Sequence, residues 1–218
     1  MSDTSIYDMM STCRAVRRLR PDPIPDDVMN RVLRAATWAP SGGNRQAWRI
    51  IAIRDRALKT AIGAMYKEVW DGYAAAAKES GAQLSQAERE GLLRTLAAGD
   101  TLASNFGQTP VVAMVCFEPS VLAITDANLD RPSIVGGASV YPAVQNLLLA
   151  CRTEGLGCVL TTLLCYREAE IKALLDIPDE WATCACVPIG YPVGSGHGPL
   201  NRRPAEELVY WDRWDGAK

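Results

Sequence analysis

The loop at residues 39–48 carries hydrogen-bonding side chains in the pattern Pro-Ser-x-x-Asn-x-Gln-x-Trp. Pro40 ends the helical pattern before it, because proline has no N–H and its ring clashes with an earlier carbonyl. Gly42 and the glycine after it allow a positive φ and a close approach of backbone N–H groups to a flat or anionic ligand. Ser41 and Asn44 add side-chain donors and acceptors. The same residue types are typical of an ordinary turn, so the loop alone leaves a binding role and a connecting role open.

Two groups of arginines lie near the two ends of the chain. Arg14, Arg17 and Arg18 form the first group, and Arg202 and Arg203 form the second. A guanidinium binds phosphate through two parallel hydrogen bonds, and each charge-assisted bond is worth roughly 1.5–3 kcal/mol. These arginines are therefore candidates for holding an anionic ligand, while each one taken alone is equally compatible with a solvated surface position.

Tyr66, Trp70 and Tyr73 follow one another at the spacing that places side chains on one face of a helix. Such an aromatic stripe has two interpretations. It packs on the hydrophobic core, or it forms a lid or wall over a flat substrate, because aromatic faces stack well on conjugated rings.

The hydrophobic pattern predicts the elements that must position these residues. Three of the four predicted strands are separated by helices, which indicates an α/β or α+β class with a central mixed sheet surrounded by helices. We find no linker and no internal repeat, so residues 1–218 are interpreted as a single domain. The predicted helices cover 5–14, a segment starting at Asp26, 57–105 with breaks near Ser80 and Gly99, 139–154 and 167–175. The predicted strands cover 48–54, 110–117 and 183–189, and 156–164 is predicted as a strand or an extended loop.

Local signals support several of these boundaries. Ser85 with Glu88 three residues later is a capping-box signature, and Gly155 is placed to end a helix in the left-handed conformation. The helix at 139–154 is apolar on nearly every side, which predicts burial, in part against a partner subunit. Residues 208–211 favour a strand, yet no local partner is evident.

Composition excludes several classes of protein. The chain has 218 residues, 48% of them hydrophobic, and 23 basic against 25 acidic residues give a net charge of -2, which argues against a nucleic-acid surface or a polybasic membrane anchor. There is no secretory pattern and no apolar run of the roughly 20 residues that a bilayer requires. We therefore expect a soluble, cytoplasmic protein without nucleic-acid or membrane partners.

The reactive side chains also exclude some chemistry. Seven cysteines without a Cys-x-x-Cys pair are typical of reduced core residues. His197 is the one histidine, so a histidine zinc site or a Ser-His-Asp triad is not expected, and no metal site is predicted. Neither a Rossmann Gly-x-Gly-x-x-Gly nor a P-loop is present.

Taken in order, several segments resemble the FMN-dependent nitroreductase family. They are the early arginines, the loop 39–48, the apolar helix ending in Gly155-Leu156-Gly157, the element 189–192 and the late arginines. The resemblance covers nearly the whole chain. It implies a nitroreductase-like fold, a homodimer with FMN sites at the subunit interface, a swapped C-terminal segment at 205–214 and a helical insertion or lid at about 60–105.

The resemblance also implies roles for individual residues. Arg14, Arg202 and Arg203 would hold the FMN phosphate, and Arg17 would lie at the pyrimidine edge of the ring. The remaining cofactor-binding candidates are Ala15; Pro40, Ser41, Gly42, Asn44 and Gln46 in the loop, which the neighbouring subunit contributes; Ser139 and Gln145 near the ring; and Thr161 and Thr162, whose backbone groups would face N5.

This sequence departs from the family's first motif, which commonly begins Arg-Arg-Ser. Cys13 and Ala15 stand at the first and third of these positions, so one arginine and one hydroxyl are missing. FMN affinity is expected to be lower unless the late arginine pair compensates.

The activity that the resemblance implies is transfer of hydride and electrons from NADH or NADPH, through FMN, to nitroaromatic, quinone or similar conjugated acceptors in a ping-pong mechanism. No side chain is needed as an acid-base catalyst, because the chemistry takes place at the flavin N5. Tyr66, Trp70 and Tyr73 are the candidate substrate contacts. Two alternatives remain: a reductive dehalogenase or flavin-modifying enzyme on the same scaffold, and a non-catalytic flavin-binding or storage protein.

Overall fold

The predicted segments form six α-helices and four strands in the computed structural model, which describes residues 5–214 and 216. The strands are β1 (Trp48–Ile53), β2 (Val111–Phe117), β3 (Gly157–Cys158) and β4 (Ala182–Gly190). The helices are α1 (Ile6–Thr12), α2 (Asp26–Ala36), α3 (Arg56–Ser80), α4 (Gln86–Asn105), α5 (Tyr141–Thr153) and α6 (Glu168–Leu174).

The four strands form one sheet in the order β1-β2-β4-β3. Each neighbouring pair is antiparallel, so the prediction of a mixed sheet is wrong for the strands that the structure describes. The strand pattern could not reveal this, because direction depends on how the long helical connections return the chain to the sheet.

Both faces of the sheet are covered, as the continuous apolar run of β2 predicts. Alternate residues of β2 enter two different cores. Ala113 and Val115 pack in the core that includes α2 and α5, while Met114 and Cys116 pack in the core that includes α3, α4 and α6. The alternation of side chains along a strand therefore ties the two helical layers to one strand.

The region 57–105 forms two long helices joined by a short turn. The predicted break near Ser80 is confirmed, and the Ser85–Glu88 capping box is present at the start of α4. The predicted break near Gly99 is wrong, because α4 continues through it. A Cβ on Gly99 would lie 2.0 Å from the ring of Trp70, so this glycine is required for close helix packing.

The end of α5 is capped as expected. Gly155 has φ +73°, its N–H donates to the Arg152 carbonyl, and the N–H of Leu156 donates to the Cys151 carbonyl at 2.8 Å. This is a Schellman motif, and it starts the short strand β3 immediately after the helix.

The C-terminal segment contacts its own chain little. Residues 208–211 form no strand within the described chain, in contrast to their local preference, and Leu208, Val209, Trp211 and Trp214 are exposed. Exposure of Trp214 reaches 84%. A strand needs a neighbouring edge, and this segment has none here.

The cysteines are free, and five of the seven are buried. Burial raises the pKa of the Cys184 thiol to about 12, so it stays neutral at physiological pH. Cys13 is half-buried and Cys165 is exposed. Across the described ranges, no helix has both the length and the apolar character to span a bilayer.

Candidate active site

An extended segment from Val16 to Arg20 positions the first arginine group. The N–H of Val16 donates to the Cys158 carbonyl at 2.9 Å, and the N–H of Arg20 donates to the Tyr191 carbonyl at 2.8 Å. Between these two anchors, the Arg18 carbonyl accepts from the N–H of Val193 at 3.0 Å. The segment is thus fixed beside the end of β4, and Arg17 is half-buried in a cavity.

This cavity, called the ring cavity here, has a volume of about 230 Å³. It brings together residues for which the sequence analysis predicted two different roles, contact with the cofactor and contact with the substrate. Its polar and aromatic lining residues are Arg17, Tyr66, Trp70, Tyr73, Thr161 and Thr162; Val159, Leu160 and Leu163 complete it.

The aromatic stripe of α3 belongs to both the core and the ring cavity. Tyr66 and Trp70 are buried, and the Tyr66 ring lies 4.7 Å from that of Phe106, while Tyr73 is 53% exposed. The indole N–H of Trp70 donates to Asp100 Oδ1 at 2.7 Å, which fixes the ring plane. The core interpretation is therefore confirmed for Tyr66 and Trp70, while contact of the stripe with a flat substrate stays a prediction.

Tyr66 and Thr161 both line this cavity. Burial raises the pKa of the Tyr66 phenol, so the hydroxyl stays protonated at neutral pH. The backbone of Thr161 is already paired, since its N–H donates to the Cys186 carbonyl at 2.9 Å and its carbonyl accepts in return. The N–H of Thr162, in contrast, has no acceptor within the described residues. That backbone groups around these two threonines face the flavin N5 stays a prediction.

The late arginines follow a segment that runs beside the end of α1. The N–H of Gly198 donates to the Thr12 carbonyl at 3.2 Å, and that of Leu200 donates to the Ser11 carbonyl at 3.1 Å. A guanidinium nitrogen of Arg14 lies 3.8 Å from where a Cβ on Gly198 would be. The segment that leads to the late arginines therefore lies beside Arg14 of the early group.

Among the residues that the structure describes, no carboxylate pairs with the arginines proposed to bind phosphate. Arg14 and Arg203 are exposed and form no ion pair with any described side chain, and Arg202 donates only to the Asn201 carbonyl. Elsewhere Arg31 is held by both Asp27 and Glu154 at 2.8 Å. Ala15 is exposed beside Arg14 and offers no side-chain hydrogen bond.

His197 precedes Gly198 in this connecting segment. Its Nε2 lies 2.8 Å from the Leu156 carbonyl, so that nitrogen carries the proton, and burial lowers the pKa of the ring. The histidine is therefore neutral at pH 7 and has a structural role in holding the segment.

The loop 39–48 is ordered by its own side chains. The N–H of Gln46 donates to Ser41 Oγ at 3.0 Å, and the Gln46 amide donates to Asn44 Oδ1 at 3.1 Å. Asn44 and Gln46 have positive φ angles, and so does Gly43, whereas Gly42 does not. Pro40, which precedes the turn, is exposed.

This loop packs on Ser139, shortly before α5, and lies outside the ring cavity. The N–H of Gly42 donates to Ser139 Oγ at 3.0 Å, and both residues line a separate cavity of about 190 Å³. Gln145 lies on an exposed face of α5. Within one chain, the structure does not bring the loop, Ser139 or Gln145 into the ring cavity.

Two features of the site were missed from the sequence. Leu160 and its apolar neighbours line the ring cavity, and Arg18 contributes to an adjacent one. In the sequence, only the closeness of Arg18 to Arg14 and Arg17 pointed to the adjacent cavity. Among the residues described, no three potential metal ligands cluster together.

The comparisons with known proteins agree with this architecture. A family model described as "Nitroreductase family" matches residues 11–191. NADH dehydrogenase of Thermus thermophilus is 30% identical over 199 residues, covering 91% of each chain. Iodotyrosine deiodinase of Nematostella vectensis is 27% identical, covering 93% of this chain and 73% of that protein.

Among solved structures, an FMN-bound nitroreductase from Desulfitobacterium hafniense superposes with a TM-score of 0.65. The match covers 97% of this chain and 100% of the other at 20% identity, so it shows the fold. The family match extends from the end of α1 to the residue that anchors Arg20, and it therefore includes the sheet, the aromatic wall and the ring cavity. This chain belongs to the nitroreductase family.

Proposed function

We propose that this chain is an FMN-dependent oxidoreductase that takes hydride from NADH or NADPH and reduces conjugated acceptors such as nitroaromatics and quinones. The observation that carries the proposal is the ring cavity, in which the cation of Arg17 lies with a rigid aromatic wall and the N–H of Thr162. Within the described ranges, Arg17 has no ion-pair partner and the N–H of Thr162 has no acceptor. The FMN-bound relative and the related NADH dehydrogenase support the choice of cofactor and reductant.

The residues present fit FMN. Its phosphate is dianionic, and the chain offers Arg14, Arg202 and Arg203 without acidic partners among the described residues. Its reduced ring carries negative charge near N1 and O2, which a guanidinium at Arg17 would stabilise. Ala15 supplies no hydroxyl, so the phosphate grip depends on the arginines.

When bound, the flavin would supply a ring nitrogen that accepts hydride from the nicotinamide and then passes the electrons to the acceptor. The protein orients the partners of this exchange. The Trp70 ring is fixed by Asp100, which gives a planar substrate a defined surface for stacking. Apolar residues such as Leu160 limit water at the ring, and Tyr66 stays protonated because burial raises its pKa.

Steady-state kinetics test this function. Because reductant and acceptor would use the same cavity in turn, we expect parallel lines in double-reciprocal plots when NADH and menadione are varied together. Intersecting lines would require reductant and acceptor to be bound at once and would contradict the shared-site mechanism.

Arg17→Ala is expected to lower the flavin midpoint potential. A cation at the pyrimidine edge stabilises the reduced anion more than the neutral oxidised ring, so its loss acts on the redox equilibrium. A differential of about 1.4 kcal/mol corresponds to roughly 30 mV for a two-electron couple. Dye-equilibration titration measures this shift.

The matched control is Arg20→Ala, because Arg20 follows in the same segment but is bonded to Asp22 and stacked on Tyr191. Its potential should equal that of the wild type. A wild-type potential in Arg17→Ala, with affinity for oxidised FMN lost instead, would place Arg17 at the phosphate and remove the proposed role.

We further propose a homodimer in which each loop 39–48 completes the partner's FMN site and the segment 205–214 packs on the other subunit. The loop lies outside the ring cavity of its own chain, and the C-terminal aromatic residues are exposed. Helix α1 also exposes Ile6, Tyr7 and Met10. Large apolar side chains that are exposed in one chain are typical of residues that a second subunit covers.

Sedimentation should give the mass of two chains, with FMN bound. Deletion of residues 205–214 is expected to shift the equilibrium toward monomer and to release FMN, because the site would lose its second half. A monomer that retains FMN at full affinity would contradict the proposal. The cytoplasmic location stays a prediction.

A further inference from the structure

Arg17 lines a second cavity, which we call the basic cavity, in addition to the ring cavity. Its volume is about 300 Å³. Arg17 and Arg18 form one side, and the end of α4 with the turn after it forms the other. The polar lining residues on that second side are Thr101, Asn105, Gln108 and Thr109.

The basic cavity has an uncompensated positive charge. No acidic residue lines it, and neither Arg17 nor Arg18 has an ion-pair partner in the described part of the chain. The next arginine in the segment, Arg20, is paired with Asp22. Two adjacent cations without a carboxylate repel each other, which raises the free energy of the empty cavity. An anion that binds between them offsets this repulsion.

Neutral donors are also available there. The side-chain amide of Gln108 forms no hydrogen bond with described residues. The Asn105 amide nitrogen donates one hydrogen to the Thr101 carbonyl at 2.8 Å, which leaves its second N–H as a donor. The backbone around Arg18 is fixed by Val193, so the segment carrying both guanidiniums is held in place before a ligand arrives.

We infer that the basic cavity binds the diphosphate of the reduced nicotinamide nucleotide while its nicotinamide ring stacks on the flavin held in the ring cavity. The inference rests on the proposed function. Arg17 borders both cavities, so a single ligand can reach both. In the nucleotide a ribose separates the ring from two negative charges, so a nicotinamide ring at the mouth of the ring cavity would place its diphosphate near the two cations of the basic cavity.

A carboxylate on the acceptor has the same chemistry, and the experiment separates the two sources. The variant is Arg18→Gln, with Arg20→Gln as the matched control. The two reductants are NADH and dihydronicotinamide riboside, which has the same ring and ribose but no phosphate. We expect Arg18→Gln to raise the KM for NADH about tenfold, equivalent to about 1.4 kcal/mol, without raising that for the riboside.

The acceptors are compared in the same way, with 4-nitrobenzoate against 4-nitrobenzyl alcohol. A defect confined to 4-nitrobenzoate would overturn the assignment to the reductant and give the cavity to the acceptor's carboxylate. Equal KM changes for charged and neutral forms of both compounds, or the same changes in Arg20→Gln, would overturn the anion subsite itself.

A binding measurement keeps this test separate from the proposed activity. Calorimetric titration of the oxidised holoprotein with NAD⁺ should show about tenfold weaker binding to Arg18→Gln than to the wild type. If NADH fails to reduce the wild-type flavin, the proposed function fails, and this titration still decides the cavity. Equal NAD⁺ affinity in the two proteins would overturn the inference.

Discussion

Arg203→Ala and Arg14→Ala are each expected to weaken FMN binding by roughly 1–3 kcal/mol, about 5- to 150-fold in Kd. Each arginine offers charge-assisted hydrogen bonds to a phosphate, and no described side chain neutralises either one. The missing hydroxyl at Ala15 makes the remaining contacts more important. Fluorescence quenching of FMN added to the apoprotein measures the affinity.

Riboflavin provides the internal control, because it has the same ring and ribityl chain without the phosphate. Its affinity should change little in either variant. Arg34→Ala is the matched control for general charge effects, since Arg34 is exposed and unpaired on α2, in a part of the described chain that lines neither cavity. Equal losses for FMN and riboflavin would show that the arginines do not bind the phosphate.

Gly99→Ala is expected to destabilise the protein by about 1–3 kcal/mol, although glycine to alanine in a helix interior normally stabilises by roughly 0.5–1 kcal/mol. The sign reverses because the new methyl group would lie 2.0 Å from the Trp70 ring. That ring is buried and held by Asp100, so it cannot move without losing its hydrogen bond. Urea denaturation of the holoprotein measures the change.

Gly72→Ala is the matched control within α3, where a Cβ would contact nothing within 4 Å. It should stabilise the protein by the normal helical amount. Displacement of Trp70 also disturbs the wall of the ring cavity, so Gly99→Ala should raise the KM for a planar acceptor while Gly72→Ala leaves it unchanged. Stabilisation by both substitutions would show that Trp70 and Gly99 are not packed as described.

Most elements of the fold could be predicted because their signals are local. The apolar run of β2, the capping box at Ser85 and the left-handed cap at Gly155 each depend on a few neighbouring residues, and all three are confirmed. Gly99 was misinterpreted because a glycine signals either a helix break or a close contact. Here the glycine is required by a close contact with Trp70, which lies on another helix, so the sequence around Gly99 could not show it.

The site could be predicted only in part. The roles of Arg17 and Thr161 are implied by family resemblance and that of the aromatic stripe by helical spacing, and the ring cavity brings these residues together. The pairing of Thr161 with Cys186 depends on the sheet register, which no local pattern gives. The basic cavity forms where the end of α4 meets Arg18, so spacing along the chain could not reveal it.

The most direct test of the central claim is the visible spectrum of the purified protein under anaerobic conditions, before and after addition of NADH or NADPH. We predict a yellow protein with a bound flavin that bleaches with one equivalent of reductant and recovers its colour when menadione is added. A yellow protein that is never bleached by either nucleotide would contradict the account and support a flavin-binding or storage role.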